Sequence, residues 1–434
     1  MASEETTTMT KTPLRPAAAP EAKTASRTTW TVRLMMVGIV LAALNLRPAV
    51  TSLGALLEEV RSGLGMSGSV AGVLTSVPPL CFAIFGVTAP RLAKRFGPAA
   101  VVCFGMAAIA VGLVIRPFTG NTVGFLAATA LALMGIALAN ILMPVVVKRW
   151  FPDRVGSMTG LYSMALAAGT STAAAITVPV TNALGGSWKI GLAVWALLGA
   201  AAVVPWLPLV RNKKGTQEAQ AAPVEAAPAE GAEAGGLRMA RSRTAWALAF
   251  FFGLQATAAY ITMGWMAQIF RDAGVSASTA GVLLAVCMVM GVPLGFVIPR
   301  VAARLPSQAP MVVFLGVCGL AGYAGLYFAP ASGAWLWAVL LGIANCSFPL
   351  ALTMIGMRAR TGAGVVKLSG FAQSTGYLIS IPGPLLVGVL YQHSGGWGLP
   401  IAMMAALMVP QIIVGVFAGR NRTVEDELVP ATAG

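Results

Sequence analysis

Long apolar runs, punctuated by short polar or basic interruptions, repeat along this chain of 434 residues. A membrane-spanning helix needs about 20 mostly apolar residues. With Gly, Pro and charge as boundaries, the pattern predicts twelve such spans. Six fall at 33–57, 68–92, 98–116, 122–147, 155–180 and 187–209; six more fall at 244–270, 277–301, 309–328, 332–357, 366–391 and 397–418. Between the two sets lies GTQEAQAAPVEAAPAEGAEAGG, residues 215–236. This Ala/Pro/Glu segment has too little apolar surface to fold. The expected architecture is an all-α membrane protein of twelve transmembrane helices in two six-helix pseudo-repeats. A disordered N-terminal tail (1–32) leads into a first bundle (33–210), a cytoplasmic linker (211–243), a second bundle (244–418) and a C-terminal tail (419–434).

Composition agrees: 57% of residues are hydrophobic and 10% charged, against about 25% charged in soluble domains. The net charge of +15 raises the question of nucleic acid, and its placement answers it. If both termini are cytoplasmic, 24 of the 29 basic residues fall in cytoplasmic segments. Arg61, Arg116, Lys189 and Arg271 fall in outer loops, and Arg47 belongs to neither side. That is the positive-inside bias of a multi-pass plasma-membrane protein, so the expected partner is the lipid bilayer and not nucleic acid. No cleavable signal is visible in the polar first ~30 residues. Cys81, Cys103, Cys287, Cys318 and Cys346 sit singly in apolar runs, and His393 is the single histidine. No metal or cofactor pattern is expected, and imidazole-based enzymatic chemistry is excluded.

The halves repeat each other. SVAGVLTSVPPLCFAIFGVTAPRLAKRFG, from Ser69, matches STAGVLLAVCMVMGVPLGFVIPRVAARLP, from Ser278, at 11 of 29 positions without a gap. ANILMP (from Ala139) and ANCSFP (from Ala344) pair the fourth spans of the two halves. Parallel six-span repeats are the architecture of carriers that rock one half against the other. The chain thus resembles the major facilitator superfamily. NLRPAVTSLGALLEEVR, AGVLTSVPPL, APRLAKRFG and GLQATAAYITMGWMAQIF resemble its cyanate permease and nitroimidazole transporter family more closely. One departure stands out: the superfamily's Gly-x-x-x-Asp-Arg-x-Gly loop here reads PRLAKRFG, with Lys94 in the acidic place. The standard gating ion pairs are therefore not carried over.

Polar residues inside spans cost free energy, about 3 kcal/mol for a charge at the centre. Arg47, within LAALNLRPAV, lies 14 residues after Arg33, about 21 Å along a helix. It is too deep to snorkel outward, and Pro48 kinks the span beside it. Its guanidinium suits planar anions and electronegative groups, or it tethers carbonyls of a neighbouring helix; Asn45 is a nearby amide partner. None of the fourteen acids lies deep in a span, which argues against cationic solutes. Asn140 and Asn345 are pseudo-equivalent, and bind solute or join helices. The resemblance implies cavity roles for Gln255 and Tyr260. Tyr162, Gln373 and Tyr377 complete the candidates, whereas Ser163 and Ser374 read as packing residues and Trp265 as pocket wall or interfacial belt. The expected function is secondary transport of a small anionic or electronegative polar solute, cyanate-like or nitroimidazole-like, by alternating access. The chain would act as a monomer, with no cofactor, and with protons as a candidate coupling partner. A multidrug-type efflux carrier of the same superfamily, or a transporter-like receptor, is the alternative.

Overall fold

The computed structural model of the chain describes residues 22–211 and 239–428. The expected tail up to residue 21, most of the linker (212–238) and the last six residues lie outside it. Among the described residues every regular element is helical. Eleven helices among the described residues are long and apolar enough to cross a membrane. Span 1 is Val32–Ala55, span 2 Gly68–Gly86, span 3 Pro98–Phe118, span 4 Thr122–Trp150 and span 5 Ser157–Ala183. Span 7 is Arg243–Asp272, span 8 Ala277–Arg304, span 9 Ala309–Phe328, span 10 Ala334–Met357, span 11 Gly364–Ser394 and span 12 Gly398–Ala418. Span 6 differs from the single helix expected: Trp188–Val203 is followed by a separate helix, Trp206–Arg211. Pro205 cannot donate to the helical ladder, and the chain breaks there. Two more departures occur at the ends. The first helix starts at Ala22, ahead of residue 33, and Val424–Leu428 is helical within the expected C-terminal tail.

Large apolar side chains such as Phe104, Leu197, Phe314, Phe328 and Ile413 are exposed on the outside. Lipid solvates such faces at no cost, so contacts between spans rely on close packing of small residues. Gly105 of span 3 and Gly135 of span 4, for example, each pack against the other's backbone carbonyl.

Four spans break at mid-depth beside prolines. Span 1 breaks between Asn45 and Pro48, and span 8 at Met290, ahead of Pro293. Span 10 breaks at Cys346, ahead of Pro349, and span 11 at Ile381, ahead of Pro382. Each proline removes one i→i−4 bond and clashes with the preceding turn. Pro48 thereby frees the carbonyl of Leu44, and Gly169 of span 5 backs onto that carbonyl so closely that a Cβ would overlap it.

The two ends of the bundle differ. One carries Arg91, Lys94, Arg95, Lys148, Arg300 and Arg304 and is called the basic end; the other carries Glu58, Glu59, Arg271 and Asp272 and is called the far end. At the far end the halves meet backbone to backbone. A Cβ on Gly72 of span 2 would lie 2.7 Å from the Leu385 carbonyl oxygen of span 11, and one on Gly281 of span 8 would lie 2.6 Å from that of Ala174 in span 5. These are the two glycines of the repeated Ala-Gly-Val-Leu run. Around them Ser69 donates from its N–H and hydroxyl to Gln392 Oε1 at 2.9 and 2.8 Å, and Trp265 Nε1 donates to Thr75 Oγ1 at 3.1 Å. Arg271 grips Glu59 with two bonds of 2.8 and 2.9 Å. Toward the basic end the same spans part: Gly291, Gly295 and Gly370 face open space, and a Cβ on Gly86 would meet only Ser374 Oγ, at 4.0 Å.

The short helix Val424–Leu428 clasps the basic end of the second half. Glu427 accepts from Ser242 Oγ (2.7 Å), Thr244 N–H (3.1 Å) and Thr244 Oγ1 (2.7 Å), capping the start of span 7. Asp426 accepts from Thr423 and pairs with Arg360. The backbone N–H of Thr423, then its hydroxyl, hold the Asp426 carboxyl below its ordinary value, helped by Arg360. For Glu427, burial works upward, but the bonds from Ser242 and Thr244 outweigh it and the net shift is downward.

Two outcomes follow. Gly72→Val and Gly281→Val each force the far end apart, so a cysteine placed at Ser69 should react faster with an impermeant maleimide than in the parent; unchanged labelling would count against the seal. The clasp carboxyls are depressed in the folded state. Their contribution is therefore complete above the free carboxyl values of about 4 and disappears as pH falls through the lower folded values. A spin label on Arg422→Cys, beside Thr423 of the clasp, should be less mobile at pH 7 than below about pH 4.

Candidate functional site

The breaks converge on a cavity of about 360 Å³ between the halves, running from mid-depth toward the basic end along spans 5, 8 and 10. Arg47 lines it. With φ −120° and ψ −26° it stands between two helical segments and caps the second, Pro48–Ala55. Its carbonyl accepts from Val50 N–H at 2.9 Å, Thr51 N–H at 3.1 Å and Thr51 Oγ1 at 3.2 Å. The break therefore frees the side chain to leave the helix surface. Arg47 Nη1 lies 3.8 Å from Met263 Sδ of span 7, and the guanidinium sits beside the Tyr260 hydroxyl. Arg61–Glu58, Arg271–Glu59 and Arg360–Asp426 form ion pairs. None involves Arg47, so a group with five donors faces the cavity with a thioether and phenol for company.

Gln255, Tyr260, Asn345 and Tyr377 line the same cavity. Gln255 is 3% exposed and its Oε1 has no protein partner. Asn345 Nδ2 makes a 3.6 Å contact to Cys287 Sγ. The Tyr377 ring stacks on Phe82 at 5.0 Å and meets Phe252 edge-on at 5.1 Å, which fixes its orientation. The other four candidates are not among the residues that line the cavity. Asn45 is wholly buried against span 3, its Nδ2 3.8 Å from Met106 Sδ. Tyr162 donates to Asn140 Oδ1 at 3.1 Å within the first half, and its hydroxyl lies near Arg47 and Tyr377. Gln373 donates to Ser369 Oγ of its own helix at 2.6 Å. The pseudo-equivalent asparagines thus part company. Span 10 breaks immediately after Asn345, whereas span 4 runs unbroken past Asn140.

The sequence matches the family model of the Major Facilitator Superfamily over residues 34–360. The chain belongs to the major facilitator superfamily. Among its relatives, the uncharacterised transporter YycB of Bacillus subtilis (strain 168) is 32% identical over 396 residues, 89% of this chain and 94% of that protein. The 2-nitroimidazole transporter of Escherichia coli (strain K12) is 31% identical over 393 residues, 90% and 96% of the two chains. The cyanate transport protein CynX of the same strain is 30% identical over 382 residues, 88% and 96%. Two solved structures share the fold at low identity. A bacterial homologue of the human lysosomal transporter Spinster gives a TM-score of 0.69 at 15% identity, covering 93% of this chain and 99% of that one. A D-xylose-proton symporter gives 0.68 at 13%, covering 92% and 100%. This major facilitator protein is a membrane transporter, not an enzyme.

The transporter's cavity also holds residues that sequence reasoning passed over. Ser163 lines it instead of serving only to pack helices, and so do Met263, Cys287, Phe296, Cys346 and Phe348. Cys346 and Phe348 lie in the repeated ANCSFP stretch, which was a usable signal; the others carried none. Trp265 is neither cavity wall nor interfacial belt: it is 1% exposed and sits in the far-end seal against Tyr391 and Trp397.

Two arginines of the charge census are buried. Arg116 is not in an outer loop but wholly buried, its Nη1 donating to the Ala49 carbonyl at 3.0 Å and its Nη2 3.5 Å from Ser52 Oγ. The 3₁₀ turn Arg116–Phe118, with Pro117, curls the end of span 3 inward and places the side chain against span 1. The carbonyl tether considered for Arg47 is thus made by Arg116. Arg358 lies in the loop after span 10, as expected, but is 2% exposed there and binds the carbonyls of Ala418 and Gly419, each at 2.9 Å, and Gln308 Oε1. That burial pulls its value below that of a free guanidinium.

Magnitudes decide what Arg116 does. Hydrogen bonds from a charged donor contribute about 1.5–3 kcal/mol each, while burying an unpaired ion costs several. The two offset, so Arg116 holds the segment after the break in place with little net gain in stability. Arg116→Met should keep its stability within about 1 kcal/mol of the parent, yet bind solute more weakly because Arg47 loses its fixed mounting. Thermal melting and equilibrium binding, measured on the same sample, check both halves of this outcome.

Proposed function

We propose that this transporter carries a small anionic or electronegative polar solute by alternating access, anchored at Arg47. The observation that carries the reading is a guanidinium at a break in span 1, facing the cavity between the halves with no carboxylate to neutralise it. An anion or a nitro group supplies the missing acceptor in bidentate geometry. The relatives named as carriers of 2-nitroimidazole and cyanate support the same chemistry.

Cavity size favours one of these two over the other. About 360 Å³ is far larger than a three-atom anion needs and falls within the range of pockets for ring-sized ligands. Tyr260, Tyr377, Phe296 and Phe348 offer aromatic walls, and aromatic pairs add about 0.5–1.5 kcal/mol each. A planar ring bearing a nitro or carboxylate group therefore fits better than cyanate itself. The two halves, 33–210 and 244–418, rock as units about the site. The basic end faces the cytoplasm of the plasma membrane, in accord with the positive-inside bias, so this conformation is open inward.

Binding of 2-nitroimidazole and of cyanate to the purified protein, with flux into proteoliposomes, tests the reading. The ring compound should bind more tightly. Arg47→Gln and Arg47→Lys should insert normally and lose tenfold or more in affinity, which corresponds to about 1.5–3 kcal/mol for charged hydrogen bonds. Retention of both affinity and flux in the two variants would remove Arg47 from the site.

A further inference from the structure

Behind the main cavity, among spans 7, 9, 10 and 12, lies a second and much smaller chamber of about 10 Å³. Gln255 and Asn345 form the wall between the two, lining both. On the blind side stand Gln411, Tyr323 and Thr262, respectively 4%, 4% and 5% exposed. Thr262 Oγ1 donates to the Ala258 carbonyl at 2.8 Å and is thereby satisfied, and the Tyr323 side chain lies beside it. Gln255 Oε1 is buried with no protein partner, and the Gln411 amide makes no protein hydrogen bond among the described residues. Two buried amides, each able to donate twice and accept through its oxygen, thus face one space of about the volume of a single water probe.

We infer that this chamber holds one ordered water joining Gln255, Asn345 and Gln411, and that Gln411 is a positioning residue for solute binding. The water donates to Gln255 Oε1 and accepts from Gln411 Nε2. That arrangement turns the Gln255 amide nitrogen and the Asn345 side chain toward the main cavity. Gln411 does not line the main cavity and acts on the solute through these two amides. The inference rests on the reading of the main cavity as the solute site, and Gln411 lies outside that cavity's own machinery.

Binding of 2-nitroimidazole to the purified full-length protein, measured in a double-mutant cycle, tests it. Gln411→Leu should weaken binding about fivefold, within the range of coupling found between residues sharing one network. In a Gln255→Met background the same change should have no effect, because the relay is already broken. A purely structural role for Gln411 would give the same loss in both backgrounds, and that result overturns the proposal, as does full affinity in Gln411→Leu. A density map of the unaltered protein that resolves waters is the second measurement. It should show a peak about 2.7–3.2 Å from both Gln255 Oε1 and Gln411. An empty chamber overturns this inference alone, whereas absence of 2-nitroimidazole binding to the unaltered protein would fail the reading of the main cavity.

Discussion

A guanidinium held midway along span 1, with no acid among the described residues to pair it, is the constraint around which the rest of this transporter is arranged. A charge there is costly unless it faces polar groups or a water-filled space. The chain meets that demand by breaking span 1. Pro48 ends the first segment, Arg47 caps the second, and the side chain leaves the helix for the cavity between the halves. The break creates needs of its own. Gly169 lets span 5 close over the freed Leu44 carbonyl, and Arg116 holds the segment beyond it. Breaks in spans 8, 10 and 11 shape the remainder of the pocket, so the site sits where backbone regularity is weakest.

At the opposite end of the same spans the halves are closed against each other. Two pseudo-equivalent glycines, Gly72 and Gly281, bring the halves to backbone contact, while Glu59–Arg271 and Ser69–Gln392 bridge them. The partly exposed ion pair contributes no more than about 1 kcal/mol. Close packing over several turns is the larger effect, since each of many dispersion contacts adds about 0.1–0.2 kcal/mol. The ion pair and the amide bridge instead fix register. A seal built this way separates without leaving a buried charge unpaired, because both ions lie where water reaches them. The alternating access proposed for this transporter requires a surface of that kind.

Much of this architecture was legible in the chain itself. Apolar runs of membrane length, the Lys/Arg asymmetry and the Ala-Gly-Val-Leu repeat determined the spans, their two-half organisation and the depth of Arg47, because these follow from bilayer thickness and local composition. The repeat even marked the glycines of the seal, although sequence alone offered no reason for them. The site was legible only in part. Arg47, Gln255, Tyr260, Asn345 and Tyr377 share the cavity, while Asn45, Asn140, Tyr162 and Gln373 turn to partners within their own halves.

The difference is one of rotation. A spanning helix is apolar nearly all round, so its sequence does not say which face meets lipid, a neighbour or the cavity. That is settled by where proline breaks re-aim the segments and by which helix each packs against. Arg116 shows the same limit: at the end of an apolar run it reads as a loop residue, and only the inward curl of the 3₁₀ turn buries it against Ala49. The sequence by itself determined which runs are long and apolar enough to span a membrane, apart from the broken sixth, and which charge lies inside one. Tertiary structure decided which polar groups that charge would face, because side-chain direction depends on helix rotation and crossing, which are properties of the packed bundle.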